Sequence, residues 1–321
     1  MNITDKIRNS AISVIVDEYK AVKKLTNSIN SDFVDSVKLL FASKGRVIVT
    51  GIGKSANIAQ KIVATFNSTG TPSIFLHAAD AIHGDLGIVT KDDIVIAISK
   101  SGETPEIKVL IPLLKSRKNK VIALVGNTNS FLAHQANSIL DVTVDKEACP
   151  NNLAPTSSTT AQLVMGDALA ISLLELRGFT STDFAKFHPG GSLGKRMYMR
   201  VADLVSNNDV PIVDIEAPIS KVIIEISSKR LGATAVLKNN QIVGVVTDGD
   251  IRRMIEKYEN FNKLVAKDIM TSNPLIINSE ELIVNALSVM RENNITQLPV
   301  TDNNKYIGVV HLHDILKEGI L

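Results

Sequence analysis

The spacing of hydrophobic positions changes near residue 46, and this change divides the first part of the chain. Between residues 4 and 43, apolar side chains such as Ile12, Val16, Tyr19 and Val22 recur every three or four positions, which predicts helix. From Arg46 onward, short β-branched runs alternate with segments of helical length. The runs predict strands at 46–50, 73–76, 93–99, 121–126 and 139–144, and the segments between them predict helices that include 55–69, 104–117 and 157–176.

Strands that are apolar throughout and separated by helices are typical of a parallel sheet covered on both faces. The pattern therefore predicts an α/β fold, a doubly wound parallel sheet, that ends near Arg200. The segment "HPGGSLGKR" (188–196) follows as the expected hinge region, because it holds three glycines and a proline.

The remaining sequence repeats itself. "IVGVVTDGDIRRMI" (242–255) recurs 64 residues later as "YIGVVHLHDILKEG" (306–319). A unit of about 55 residues is marginally stable alone, so two units are expected to pack as a pair. The predicted organisation is one domain over 1–200 and two repeats over 201–258 and 264–321.

Composition excludes several classes of protein. The net charge of +2 gives no general attraction to nucleic acid or to an anionic membrane. The longest apolar runs have the length of strands, and the first residues read as an amphipathic helix rather than as a leader. A single cysteine fits a reducing compartment. We therefore expect a cytoplasmic protein without a nucleic-acid or membrane partner.

A glycine-containing turn, "TGIGKS" (50–55), joins a predicted strand to a predicted helix, which is a typical site for an anion. A Walker loop needs a glycine where Ile48 stands. A dinucleotide-binding loop needs an acidic residue at the end of the next strand, and that strand reads "SIFLH". Both nucleotide interpretations are therefore weakened.

Two further turns carry hydroxyl groups at predicted helix starts. "ISKSGET" (98–104) presents Ser99, Ser101 and Thr104, and "APTSSTTAQ" (154–162) begins another helix. Hydroxyls and free N–H groups at helix starts suit a phosphate dianion. Each turn could also be an ordinary helix cap, but three such turns at one sheet edge favour a small phosphorylated ligand. Gly53 and Ser55 of the glycine turn complete this predicted phosphate site.

Taken together, "TGIGKSANIA", "ISKSGET", "AIHGDLG", "ACPNNLAPTSSTT" and "FHPGGSLGKR" resemble the arabinose 5-phosphate isomerase family. The resemblance runs from the N-terminal helices to the C-terminus, with Ala56 and Lys100 standing where glycine and asparagine are usual. It implies a flavodoxin-like sugar isomerase (SIS) domain followed by an α+β pair of cystathionine-β-synthase (CBS) repeats. It also implies a homo-oligomer, a tetramer, that works in lipopolysaccharide synthesis by supplying 3-deoxy-D-manno-octulosonate (Kdo) formation.

Interconversion of a ketose phosphate and an aldose phosphate needs a base for the carbon proton, acid–base groups for the oxygens, and a cation or donors for the enediolate. It needs no cofactor and no metal. By resemblance, five residues match the catalytic set of the family: Lys54, His83, Glu106, Glu147 and His188. Desolvation is expected to raise the pKa of a glutamate base toward neutrality. Which group acts as base and which as acid stays open.

Several alternatives accompany this interpretation. Each of the five residues also has a purely structural interpretation. In that interpretation Lys54 is a solvated loop lysine, and Glu106 is a glutamate that the helix dipole stabilises in a first helical turn. The chain is alternatively a sugar-phosphate sensor without turnover, or an isomerase of another sugar phosphate. In CBS modules an aspartate after the "GVVT" motif often holds a ribose, which here corresponds to Asp250 and Asp314. A nucleotide or nucleotide-sugar is thus one expected ligand of the pair, and a role in assembly alone is the other.

Overall fold

The computed structural model describes residues 2–206 and 208–320, and the chain forms two compact units. One unit ends at Phe187 and the other begins at His188. The boundaries 1–200, 201–258 and 264–321 remain a prediction, since they rest on sequence patterns alone.

Two helices precede the sheet of the first unit. Helix α1 spans Ile3–Lys24 and α2 spans Ser31–Ala42. The predicted helical segment is therefore interrupted, by a 3₁₀ turn at Leu25–Ser28. Asn30 restarts the helix because its side-chain oxygen accepts hydrogen bonds from the backbone N–H groups of the first turn of α2. Much of the apolar face of α1 is exposed in the single chain.

The first unit has a five-stranded parallel sheet with the order β2-β1-β3-β4-β5. Its strands are β1 (Val47–Gly51), β2 (Ser73–His77), β3 (Ile94–Ser99), β4 (Lys120–Val125) and β5 (Ser138–Asp141). This order reverses between β1 and β3, as in flavodoxin-like sheets, so the loops after these strands diverge and leave a crevice at the carboxyl edge.

Helices cover both faces of this sheet. The helices that follow α2 in this unit are α3 (Lys54–Ser68), α4 (Ala78–Ala81), α5 (Pro105–Ser116), α6 (Phe131–Gln135), α7 (Ser157–Leu176) and α8 (Ser181–Phe187). One apolar core lies beneath α2, α3 and α7, and another lies beneath α4, α5 and α6. The predicted doubly wound α/β domain is confirmed.

Helix α7 is the one described helix with the length and hydropathy to cross a membrane. It closes one face of the sheet, where Met165, Leu169 and Leu173 are buried against side chains of α3 and the strands.

The second unit contains two copies of the predicted repeat. Its helices are α9 (Ser192–Tyr198), α10 (Val201–Val205), α11 (Ile219–Lys229), α12 (Asp248–Lys257), α13 (Ala266–Ile269), α14 (Ile283–Glu292) and α15 (Leu312–Lys317). Its strands are β6 (Ile212–Asp214), β7 (Ala233–Lys238), β8 (Gln241–Thr247), β9 (Thr271–Ser272), β10 (Ile277–Asn278), β11 (Gln297–Asp302) and β12 (Lys305–His311).

These strands form two mixed sheets, β6-β7-β8-β9 and β10-β11-β12. The antiparallel pairs β7–β8 and β11–β12 each contain a register shift, after Val236 and after Val300. The two shifts are 64 positions apart, which is the period of the sequence repeat. The α+β prediction for the C-terminal pair is confirmed.

Candidate functional site

A cavity of about 330 Å³ lies at the carboxyl edge of the parallel sheet, where β1 and β3 lead into α3 and α5. Five of the predicted site residues line this cavity: Lys54, Ser55, Ser99, Ser101 and Thr104. The start of α7 closes it from a third direction. The three hydroxyl-rich turns that the sequence predicts at one sheet edge thus surround one space.

The glycine turn places a cation at the cavity. Gly53 is the N-cap of α3 and has φ +57 and ψ −129, a conformation that side chains other than glycine rarely adopt. The next residue, Lys54, begins the helix, and it makes no ion pair with any residue that the structure describes. Its ammonium group is therefore available to an anion at the N-terminal end of the helix.

The serine turn is stabilised by its own hydroxyls. Ser99 Oγ lies 2.9 Å from Thr104 Oγ1 and accepts the Gly102 N–H at 3.0 Å. Gly102 has φ +67, and a Cβ there would lie 1.9 Å from Ser130 Oγ. The turn can therefore pack this closely against Ser130 only with glycine at this position. Ser101 is exposed, with its hydroxyl accepting the Glu103 N–H at 3.2 Å.

The third turn surrounds a buried carboxylate. Glu147 is 1% exposed, and its Oε2 accepts the N–H groups of Thr156 at 2.9 Å and Ser158 at 3.1 Å. Its Oε1 accepts the Ser158 hydroxyl at 2.5 Å and lies 2.6 Å from Lys100 Nζ. These contacts occupy both carboxylate oxygens at the start of α7, where the helix dipole favours a negative charge.

The pKa of Glu147 is lowered from 4.5 to about 2. Desolvation acts most strongly and raises this pKa, but the combined hydrogen bonds from Lys100, Ser158 and the Thr156 N–H outweigh it. The expected rise toward neutrality is therefore wrong for Glu147, because the donors around it favour the ionised form. Glu147 is a fixed anion at neutral pH.

The other predicted residues lie outside the lining of the cavity. Gly53 contributes backbone, His83 is exposed in the turn before a 3₁₀ segment at Asp85–Ile88, and Glu106 is half-buried in the first turn of α5. His188 belongs to the second unit, where its carbonyl accepts the N–H of Gly191 at 3.1 Å.

Several residues that line the cavity were not predicted as site residues, and three of them carry polar groups that matter for its chemistry. Lys100 lines the cavity with 47% of its side chain exposed, and Ser158 and Gln162 line it from α7. Gln162 is fully buried, and its Nε2 has no hydrogen-bond partner among residues 2–206 and 208–320. In the sequence, the one indication that Ser158 and Gln162 belong to the site was their position within the "APTSSTTAQ" cluster.

In the second unit, the carboxylate of Asp250 already accepts hydrogen bonds from two neighbouring residues. Its Oδ2 accepts the Thr247 N–H at 2.8 Å and the Thr247 hydroxyl at 2.7 Å, and its Oδ1 accepts from Arg253 at 2.6 Å. The three residues border a cavity of about 230 Å³. Asp314, 64 positions later, accepts from Asn208 at 3.1 Å and borders a second cavity of about 620 Å³. Both aspartates thus lie at cavities, and the ribose-binding role that the resemblance implies for them stays a prediction.

No cluster of three or more His, Cys, Asp or Glu side chains suited to a metal ion occurs in the described part of the chain. The cavity itself offers hydroxyls and ammonium groups, which suit a phosphorylated organic anion.

A flavodoxin-like sheet with a cationic, hydroxyl-lined cavity at its switch point, followed by a tandem α+β pair, defines an SIS-domain protein with CBS repeats. Family models agree with this class: the SIS domain matches residues 40–172, and the CBS domain matches 201–257 and 266–320.

Proteins of similar sequence identify the family within this class. Arabinose 5-phosphate isomerase KdsD of Francisella tularensis is 46% identical over 315 residues, which cover 96% of each chain. KdsD of Pseudomonas aeruginosa is 44% identical over 316 residues, covering 98% of this chain and 97% of its own. The chain belongs to the arabinose 5-phosphate isomerase family.

One solved structure is similar to part of the chain. The structure of Escherichia coli CFT073 c3406 in complex with arabinose 5-phosphate is 45% identical, with a TM-score of 0.57. It covers 59% of this chain and 100% of its own.

Proposed function

We propose that this protein is an aldose–ketose isomerase that interconverts D-ribulose 5-phosphate and D-arabinose 5-phosphate through an enediol. The observation that carries the proposal is the cavity between the three turns, in a chain that is 46% identical to an isomerase of this name over 96% of both lengths. The E. coli relative with arabinose 5-phosphate bound supports the same ligand for this cavity. The product would enter Kdo and lipopolysaccharide synthesis.

The phosphate group occupies the cavity. Ser55, Ser99, Ser101 and Thr104 supply hydroxyl donors, and Gly53 lets the N–H groups of the first turn of α3 approach closely. A phosphate dianion is favoured there by Lys54 and by the positive ends of α3 and α5. Binding the phosphate fixes the sugar carbons relative to the residues at the rim of the cavity.

Lys54, His83, Glu106, Glu147 and His188 make up the proposed catalytic set. Lys54 stabilises the enediolate oxygen, and the two histidines move protons on oxygen and open the sugar ring. Glu106 is the stronger candidate for moving the carbon proton between C1 and C2. Glu147 is disfavoured in that role, because its low pKa makes it a weak base and both its oxygens are engaged.

The catalytic assignment is tested with conservative variants. Glu106→Gln and His188→Ala should each lower kcat by about 10²-fold or more, the usual loss for an acid or base group. Glu147→Gln should lower kcat as well, because it releases the donors that its two oxygens hold in place at the cavity wall. Glu103→Gln is the matched control, since Glu103 lies three positions before Glu106 but is bound to Lys108 at 2.5 Å and accepts the Phe131 N–H. Near wild-type turnover in all three variants would contradict the mechanism.

The CBS pair binds a nucleotide or nucleotide-sugar through Asp250 and Asp314. In this proposal the ribose hydroxyls compete with the bonds that Asp250 makes to Thr247 and Arg253. Assembly of subunits is the competing role of the pair. A change in thermal midpoint on adding adenosine monophosphate, lost in Asp250→Asn, separates the two.

The protein acts in the cytoplasm as a homo-oligomer, a tetramer. Support for association comes from α1, where Ile7, Ile12, Ile15 and Tyr19 are each more than half exposed. An apolar helix face of this size is usually covered by another surface. Sedimentation equilibrium measures the number of subunits directly.

A further inference from the structure

A buried negative charge lies directly behind the wall of the phosphate cavity. Glu147 is 1% exposed, and the side chain of Ser158, which lines the cavity, is 2.5 Å from its Oε1. A carboxylate in this position repels a phosphate dianion, and the repulsion is strong where little water screens it. The site therefore needs a compensating charge.

Lys100 supplies that charge. Its Nζ lies 2.6 Å from Glu147 Oε1, and this is the one ion pair that Glu147 makes with a described residue. The Thr156 and Ser158 groups that also contact Glu147 are neutral, so they stabilise the carboxylate without cancelling its net charge. With 47% of its side chain exposed, Lys100 also lines the cavity. Its ammonium group thus stands between the buried anion and the space for the ligand.

We propose that Lys100 determines phosphate affinity in this site by neutralising Glu147, an inference that rests on the proposed binding of a sugar phosphate. Lys54 alone would leave the cavity with one cation facing a buried anion. With Lys100 paired to that anion, the charge of Lys54 and the helix ends act on the phosphate without opposition. Lys100 is in this sense a positioning and charge-compensating residue that acts through Glu147.

The proposal differs from direct phosphate binding by Lys100 in one measurable respect. If Lys100 acts through Glu147, its removal should do little harm once the carboxylate is also removed. If Lys100 instead contacts the phosphate, the loss should persist whatever residue stands at position 147. A double-mutant cycle on these two residues distinguishes the cases.

Binding is measured by calorimetry near neutral pH on the full-length chain, with D-arabinose 5-phosphate and inorganic phosphate as probes. Lys100→Met should raise Kd for both probes by about tenfold or more. The double variant Lys100→Met with Glu147→Gln should lie within about threefold of the wild type, because both charges of the pair are removed together. Glu147→Gln alone should bind at least as tightly as the wild type, because it leaves the Lys100 ammonium unpaired at the cavity. Lys100→Arg should retain most of the affinity, because it keeps the positive charge.

Lys108→Met is the matched control. Lys108 is 44% exposed and pairs with Glu103 at 2.5 Å, but it does not line the cavity, so its removal should leave Kd unchanged. A Lys100→Met protein with wild-type affinity overturns the proposal, as does a double variant as weak as Lys100→Met.

Two further outcomes separate this inference from the proposed function. Binding in the predicted pattern without turnover of ribulose 5-phosphate would reject the isomerase assignment and keep the inference. A wild-type protein that binds neither probe would reject both. If Lys100→Met does not fold, Glu147→Gln still decides, because a Kd raised about tenfold in that variant contradicts a repulsive role for the carboxylate.

Discussion

Replacing Glu147 by glutamine should destabilise the first unit, by an amount that the electrostatics of the site determine. The substitution keeps the shape of the side chain but removes the charge that Lys100 and the N–H groups of Thr156 and Ser158 surround. A glutamine can offer one oxygen to these donors, and its NH₂ group then faces the Lys100 ammonium. The buried donors are left partly unsatisfied.

The lowered pKa gives the magnitude. The pKa of Glu147 falls from 4.5 to about 2, and each pKa unit corresponds to about 1.4 kcal/mol, so the ionised form gains about 3 kcal/mol on folding. Because Glu147 is 1% exposed, solvent screens little of this gain. For a unit of this size, about 3 kcal/mol corresponds to a fall in thermal midpoint of roughly 6–12 °C.

The pH dependence follows from the direction of the change. A folded-state pKa below 4.5 stabilises the fold at all pH values above about 4.5, and the contribution is lost as the pH falls from about 4.5 to about 2. Calorimetric midpoints of wild type and Glu147→Gln should therefore differ by a constant amount between pH 5.5 and 8. The difference should shrink below pH 4.5.

Glu103→Gln, which changes an ion-paired carboxylate that is 43% exposed, serves as the control and should change the midpoint little. Equal midpoints for wild type and Glu147→Gln at neutral pH, or a difference that does not shrink in acid, would refute this account of the buried carboxylate.

Three further predictions concern the cavity and the repeat. Ser101→Ala should raise KM for the phosphorylated substrate with little change in kcat, and an unchanged KM in steady-state kinetics would remove Ser101 from the phosphate site. Gly53→Ala should lower the free energy of unfolding in denaturant by about 1–3 kcal/mol, because the φ of +57 at this position is unfavourable for alanine. A Cβ there meets no atom within 4 Å, so a larger fall in the free energy of unfolding would contradict backbone strain as the cause. A chain that ends near residue 200 should retain isomerisation if it folds, and loss of activity in a soluble, correctly assembled truncation would mean that the CBS pair completes the site.

The strands and main helices were predictable because their hydrophobic periods differ clearly. Apolar runs such as 93–99 are buried along their whole length, as a central parallel strand requires. The ends of these strands and helices were less predictable. The run 139–144 was expected to be all strand, but β5 stops at Asp141, whose carboxylate accepts the Thr143 N–H at 2.9 Å. Such local competition between side chain and backbone is not visible in hydrophobic spacing.

The cavity was predictable in outline and its electrostatics were not. Parallel strands bring their carboxyl ends to one edge, so the turns after β1 and β3 had to lie close together. The pairing of Lys100 with Glu147 joins residues 47 positions apart, and nothing in either local sequence indicates it. For the same reason the direction of the Glu147 pKa change was wrong at the sequence level, since it depends on donors contributed by separate turns.

Direct observation of the product is the best test of whether this cavity isomerises a ketose phosphate. The purified full-length protein is incubated with D-ribulose 5-phosphate in D₂O and followed by proton NMR. We expect D-arabinose 5-phosphate with deuterium at C2 to form, since an enediol mechanism lets the transferred proton exchange with solvent. Binding of ribulose 5-phosphate without formation of any aldose phosphate would contradict the account and identify the protein as a sugar-phosphate sensor.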